Sequence, residues 1–127
     1  MTHGTILVVE DDIIIATLLQ TRLKKLGFSV VHISATAEDA IMKATELKPD
    51  LALMDIRLKG ESDGIGAAEA IREKENIPVI YLTSHSDEDT LERAKKTKPA
   101  GYIIKPFTDD ILRTTIEIAL YSSGKTG

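Results

Sequence analysis

Short, wholly apolar runs punctuate this chain at residues 6–9, 51–54, 79–82 and 102–104, and between them apolar positions recur every three or four residues. Runs that short are strands, and the longer periodic segments are helices. Over residues 13–26, Ile14, Leu18, Leu19, Leu23 and Leu26 share helical spacing, and Gly27 stands where a left-handed C-terminal cap belongs. Residues 28–33 are short and β-branched. Thr36-Ala-Glu-Asp then opens a second helix to about Leu47, with Pro49 just past its end. Residues 51–55 are apolar on both faces, which places that strand centrally in a covered sheet.

The polar stretch 59–64 predicts a loop, with Asp63 capping a third helix that carries Ile65, Ala68 and Ile71. Pro78 precedes the fourth strand. Residues 86–90, acidic and rich in cap formers, begin a fourth helix, and Lys95, Lys96 and Lys98 supply cations at its other end, where the helix dipole favours them. Residues 100–105 form the fifth strand, and 109 to about 121 the last helix, with Leu112, Ile116 and Leu120 on one face. Strands and helices alternate throughout, so the expected class is α/β: a doubly wound, five-stranded parallel sheet with five helices.

Composition narrows the function. With 127 residues, 43% hydrophobic and 28% charged, the chain fits one domain, expected over residues 1–121, with 122–127 as a flexible tail or the start of a linker. Lys and Arg total 16 against 20 Asp and Glu; the net charge of -4 offers no basic footprint, so direct nucleic-acid binding is not expected. Without cysteine there are no disulfides or thiolate metal sites, and no histidine pair has metal-ligand spacing. Neither a charged leader with an apolar core nor a stretch of roughly 18 apolar residues is present, so the expectation is a cytoplasmic domain without a membrane span.

The chemistry stands at the ends of the strands. Glu10-Asp11-Asp12 follow the first, Asp55 ends the third, Thr83 follows the fourth and Lys105-Pro106 the fifth. Ligands of open α/β sheets bind outside the carboxyl ends of the strands where strand order reverses, and strands one and three should flank that crevice. Acids facing each other there repel unless a cation neutralises them, and a hard-oxygen site with two or three acids suits magnesium. A carboxylate beside the metal can accept a phosphoryl group as a nucleophile. Asp55, alone at the end of a central strand, is the best candidate. Lys105 can pair with one phosphoryl oxygen and Thr83 can donate to another. Singly, each residue has an ordinary reading: acids cap helices, threonines close turns, lysines coat surfaces. Their joint placement favours the site, with Asp12 left as the cap of the first helix.

Ile6-Leu-Val-Val-Glu-Asp-Asp, Leu53-Met-Asp-Ile, Leu82-Thr-Ser and Gly101-Tyr-Ile-Ile-Lys-Pro-Phe, in this order and spacing, resemble the marks of response-regulator receiver domains over residues 5–121. The resemblance implies a flavodoxin-like three-layer sandwich with strand order 2-1-3-4-5. It implies that Asp55 takes a phosphoryl group from the phosphohistidine of a sensor kinase or histidine phosphotransfer protein. Mg2+ would be held by Asp11, Asp55 and the backbone carbonyl of Arg57, with Glu10 acting through water. Thr83 and Lys105 would contact the phosphoryl group, and Lys105-Pro106 would be a cis peptide. Thr83 and Tyr102 would be the moving residues of a switch that reshapes helix four, strand five and helix five, a face that could also join two copies. Ser84 is small enough to let the phosphoryl group pass, and Arg57 and His85 lie where the family tunes dephosphorylation. One departure stands out: Lys59-Gly60-Glu61-Ser62 replaces the family's more usual Pro-Gly turn.

The implied function is a signalling switch acting on an unidentified effector, not a metabolic enzyme. The alternative is a magnesium-dependent phosphatase with an aspartyl nucleophile, similar to haloacid dehalogenases; that chemistry wants a second acid two residues on, where Arg57 stands. A flavin carrier is weaker still, because Glu10-Asp11-Asp12 would repel the cofactor phosphate. Two motif fragments lead nowhere: Gly124-Lys125-Thr126 has Ala119 where a P-loop needs its first glycine, and Gly64-Ile65-Gly66 has Glu69 at the third glycine of a dinucleotide fingerprint. The sequence leaves open whether the chain stands alone or belongs to a longer regulator.

Overall fold

A computed structural model describes residues 4–56, 64–83 and 88–124, with 88–90 as backbone alone. In chain order the elements are β1 (Thr5–Val9), α1 (Ile13–Lys25), β2 (Ser29–Ser34), α2 (Ala37–Leu47), β3 (Leu51–Asp55), α3 (Gly64–Glu75), β4 (Val79–Thr83), α4 (Glu88–Lys95), β5 (Gly101–Ile104) and α5 (Asp109–Ser122). The strands form one parallel sheet in the order β2-β1-β3-β4-β5. This is the expected doubly wound α/β fold, with β1 and β3 side by side at its reversal point.

Alternation within the apolar runs explains the three layers. Leu7 and Val9 of β1, Ala52 and Met54 of β3, and Val79 and Tyr81 of β4 point to one face, where alanines 37, 40 and 44 of α2 and Ala67, Ala68 and Ile71 of α3 cover them. Ile6, Val8, Leu51, Leu53, Ile80 and Leu82 point to the other, under Leu19 and Leu23 of α1 and Leu112, Ile116 and Leu120 of α5. Every residue of β3 and β4 is buried, which is why these strands read as unbroken apolar runs. Burial of each large aliphatic side chain stabilises the fold by roughly 1.5–3 kcal/mol before conformational entropy is counted.

The helix ends follow local rules. Asp12 accepts hydrogen bonds from the backbone of Ile14 (2.9 Å) and Ile15 (3.3 Å), Thr36 from Asp39 (3.1 Å) and Thr108 from Ile111 (3.2 Å), so each caps the helix after it. Gly27 takes the expected positive φ, 97°, after α1. Past α2, α3 and α4 the same turn of the chain falls on side-chain-bearing residues, Lys48, Asn76 and Lys98, at φ 46°, 56° and 53°.

Two details differ from the sequence reading, and a third lies beyond it. On α1 the core face is Ala16, Leu19 and Leu23, whereas Ile14 and Leu18 are 70% and 60% exposed. Apolar residues at 13–15 and 18–19 surround the helix, so spacing alone does not say which stripe the sheet covers. β5 is shorter than expected, ending at Ile104. In β2 the register to β1 slips between Ile6 and Leu7, so Ile6 faces Val30 while Leu7 faces His32. The slip bulges the strand at Val31 and turns His32 to the α2 side, where its Nε2 lies 2.9 Å from Asp39 Oδ2. The loop at 59–63, with Asp63, and the start of the fourth helix at 86 fall outside the described residues.

Candidate functional site at the carboxyl edge of the sheet

Sheet hydrogen bonds stagger the strand ends into a row. Glu10 donates its backbone N–H to Ser34 (2.9 Å), Ile56 to Leu82 (3.1 Å) and Lys105 to Thr83 (2.8 Å). Val9 pairs with Met54, so Glu10 and Asp55 are the next residues out on adjacent strands. Asp55 in turn pairs with Leu82, and Thr83 with Ile104, which brings Thr83 and Lys105 to the same edge.

Glu10, Asp11 and Asp55 each offer a carboxylate oxygen, all within 4.8 Å of one another. Glu10 is 2% exposed and Asp55 9%, so two acids stand where solvent screens little. Lys105 Nζ lies 3.6 Å from Asp55 Oδ2 and 3.9 Å from Glu10 Oε1, near enough for charge attraction and too far for a hydrogen bond. Glu10 Oε2 accepts from the Asp12 backbone at 3.2 Å; its Oε1 is buried with no hydrogen-bond partner among the described residues. Burial first, and the adjacent Asp55 carboxylate second, push the Glu10 carboxyl up to about 8. Near neutral pH Glu10 therefore keeps a proton, and a cation in the cluster would take that proton's place. The donor set is all oxygen and carries more acid than one lysine neutralises, which fits a hard divalent ion such as Mg2+.

Thr83 is 3% exposed at the end of β4. Tyr102 is partly buried on β5, its ring stacked on Tyr81 with centroids 6.1 Å apart and planes inclined 28°. The Tyr102 hydroxyl is buried without a hydrogen-bond partner among the described residues, and burial raises its pKa. Tyr81 lies 2.8 Å from the Thr97 hydroxyl, which donates to the Ala94 carbonyl at 2.7 Å; Tyr81 is therefore the donor to Thr97. Lys105-Pro106 is cis.

The structure thus gathers Glu10, Asp11, Asp55 and Lys105 into one cluster, with Thr83 on the same edge and Asp12 set aside as a cap. Arg57, His85 and Ser84 lie outside the described residues. Two positions were not foreseen. A Cβ on Gly64 would overlap the Asp55 backbone oxygen and stand 3.2 Å from the Ile56 oxygen, so only glycine lets α3 start this close to the end of β3. Arg22 of α1 reaches the segment after Lys105, donating to Asp109 Oδ1 (2.7 Å) and to the Phe107 carbonyl (2.9 Å). A glycine opening a helix beyond the Asp55 loop was a signal for the first; nothing local marked the second. Beside the acids, Ile15, Leu18, Leu19, Arg22, Leu82, Lys105 and Phe107 line an apolar groove of about 230 Å³.

Residues 6–117 match the family model of the response regulator receiver domain. The transcriptional regulatory protein PdtaR of Mycobacterium tuberculosis is 34% identical over 115 residues, 91% of this chain and 56% of that protein. The transcriptional regulatory protein ZraR of Escherichia coli K12 is 38% identical over 123 residues, 94% of this chain and 27% of that protein. Among solved structures, the signal receiver domain of a modulated diguanylate cyclase from Desulfovibrio desulfuricans G20 superposes with a TM-score of 0.91 at 37% identity, covering 95% of this chain and 96% of that one. The chain therefore spans only part of the curated regulators it matches. No helix among the described residues is long and apolar enough to cross a membrane.

Proposed function

Because the chain belongs to the response regulator receiver domain family and so to two-component signalling, we propose that Asp55 is its phosphoacceptor and that phosphorylation there switches its outer face. The observation that carries this reading is the placement of Asp55: 9% exposed, in carboxylate contact range of Glu10 and Asp11, with the Lys105 ammonium 3.6 Å away. A carboxylate so placed can be both metal ligand and nucleophile.

Mg2+ would be held by Asp11 and Asp55, by Glu10 through water and by the Arg57 carbonyl, and would neutralise the acids and the incoming phosphoryl oxygens. An Asp55 carboxylate oxygen attacks phosphorus, the bond from phosphorus to the donor's imidazole nitrogen breaks, and that electron pair leaves with the imidazole. Lys105 pairs with one phosphoryl oxygen and Thr83 donates its hydroxyl hydrogen to another. The gain of negative charge at Asp55 biases Thr83 and Tyr102, and through them α4, β5 and α5. His85 and Arg57 would tune the return. A sensor kinase or histidine phosphotransfer protein is the donor that this chemistry asks for, and the exposed Ile14 and Leu18 beside the apolar groove offer it a landing place. These partners go with a cytoplasmic location. Exposed Ile104 and Ile118 on β5 and α5 support contact there with an effector or a second copy.

The domain is a switch that turns over only its own phosphoryl group; a phosphatase would need an acid where Arg57 stands. Acetyl phosphate with Mg2+ should add one phosphoryl group to the wild type and none to Asp55→Asn, read by intact mass. Equal modification of the mutant would remove Asp55 from its role, and many-cycle hydrolysis of phosphomonoesters would favour the phosphatase.

A further inference from the structure

We propose that Arg22 is a positioning residue for phosphoryl transfer, acting through the segment that carries Lys105; this rests on the reading of Asp55 as phosphoacceptor. The Arg22 guanidinium makes three contacts to that segment: Nε to Asp109 Oδ1 at 2.7 Å, an Nη nitrogen to the Phe107 carbonyl at 2.9 Å, and its Cζ over the Phe107 ring, 4.5 Å from the ring centre. Asp109 is the first residue of α5, and Phe107 follows the Lys105-Pro106 peptide directly. One side chain from the last turn of α1 therefore ties down both the carbonyl two residues past Lys105 and the start of the next helix.

Lys105 needs such a tie. β5 ends at Ile104, and among the described residues the sheet hydrogen bond that reaches Lys105 is its own N–H to Thr83; the segment beyond is held by the Arg22 contacts and by the Thr108 cap of α5. Lys105 carries a point charge on a four-carbon stem and stands 3.6 Å from Asp55, beyond hydrogen-bond length, so the path of its backbone helps decide where the ammonium sits. Arg22 suits the task because a planar fork can bond an acid and a carbonyl while its face covers an aromatic ring; a lysine there could do one of the three. Arg22 and Lys105 also line the same groove, so whatever enters it touches both ends of the link.

A double-mutant cycle separates positioning from general weakening. Phosphorylation by acetyl phosphate with Mg2+, in which Asp55 displaces acetate, is timed by intact mass for wild type, Arg22→Ala, Lys105→Ala and the double variant, with Arg113→Ala as a surface control. Arg22→Ala should slow the rate at saturating acetyl phosphate about five- to tenfold, less than the hundredfold that a 1 Å misplacement can cost, and should leave the half-saturating Mg2+ concentration unchanged. In the Lys105→Ala background, removing Arg22 should change the rate less than about twofold, because its target is gone. Arg22→Lys, which can keep one of the three contacts, should recover only a minor part of the loss. Should Arg22→Ala fail to fold, Asp109→Ala, which removes one contact only, should show a smaller loss with the same dependence on Lys105. Rate losses that multiply in the double variant, or a shifted Mg2+ requirement, would overturn the role of Arg22 alone. A wild type that takes up no phosphoryl group would sink the phosphoacceptor reading and this inference together.

Discussion

Glu10→Gln should stabilise the metal-free protein in a way that grows with pH. In the fold the Glu10 carboxyl releases its proton only at about 8, against 4.5 for a free side chain. Between those values the unfolded chain has lost a proton that the folded chain keeps, so folding stability falls as pH rises; it is fully present below about 4.5 and the loss is complete above about 8. Each pH unit of that interval is worth about 1.4 kcal/mol, so the ceiling is roughly 5 kcal/mol. Part of that shift belongs to the repulsion shared with Asp55, and the fold can relax around an ionised Glu10, so we expect about 2–3 kcal/mol between pH 5 and pH 8.5. Glutamine has the same shape and keeps an oxygen for the Asp12 N–H, but nothing to ionise. The assay is urea unfolding followed by far-ultraviolet circular dichroism in EDTA. The midpoint of Glu10→Gln should pull ahead of the wild type by about 1–2 M as pH rises from 5 to 8.5. Saturating Mg2+ at pH 8.5 should close much of the gap by stabilising the wild type more. Stability curves that stay parallel across pH would show that Glu10 ionises freely, and would remove the electrostatic case for a cation among these acids.

Gly64→Ala should destabilise the chain by about 2 kcal/mol, in the range of overpacked cores, since the new methyl meets backbone oxygens that have nowhere to go. For a chain of this size that lowers Tm by roughly 7 °C, and because the clash is with Asp55 itself, phosphorylation of the folded variant should slow as well; an unchanged Tm would refute the close approach. Lys48→Gly should do the opposite, raising stability by about 0.5–1 kcal/mol in a thermal melt, because Lys48 holds φ at 46° where a side chain is strained.

The sequence spoke clearly where one physical cause dominated. β3 and β4 are legible because strands buried on both faces must be apolar throughout, and the acids at 10, 11 and 55 are legible because parallel strands deliver their ends to one edge. Glycine at 27 and threonine at 36 mark helix ends through purely local hydrogen bonding and backbone sterics. The core face of α1 was ambiguous because apolar residues ring that helix, and only the presence of the sheet selects Ala16, Leu19 and Leu23. Gly64 was dismissed with a failed nucleotide motif; what it does depends on how near α3 comes to Asp55, a distance set by tertiary packing. Arg22 is the extreme case, since its partners lie 85 and 87 residues away and no spacing rule joins them.

The bulge at Val31 also bears on how this molecule keeps company. A parallel sheet offers two open borders, here β2 and β5, and an open border invites another strand to zip onto it. β2 answers with a bulge in its middle, which breaks the even spacing that a docking strand would have to match, and β5 answers by being only four residues long. Neither border is a good template. The sheet is built not to grow by adding a strand at either border.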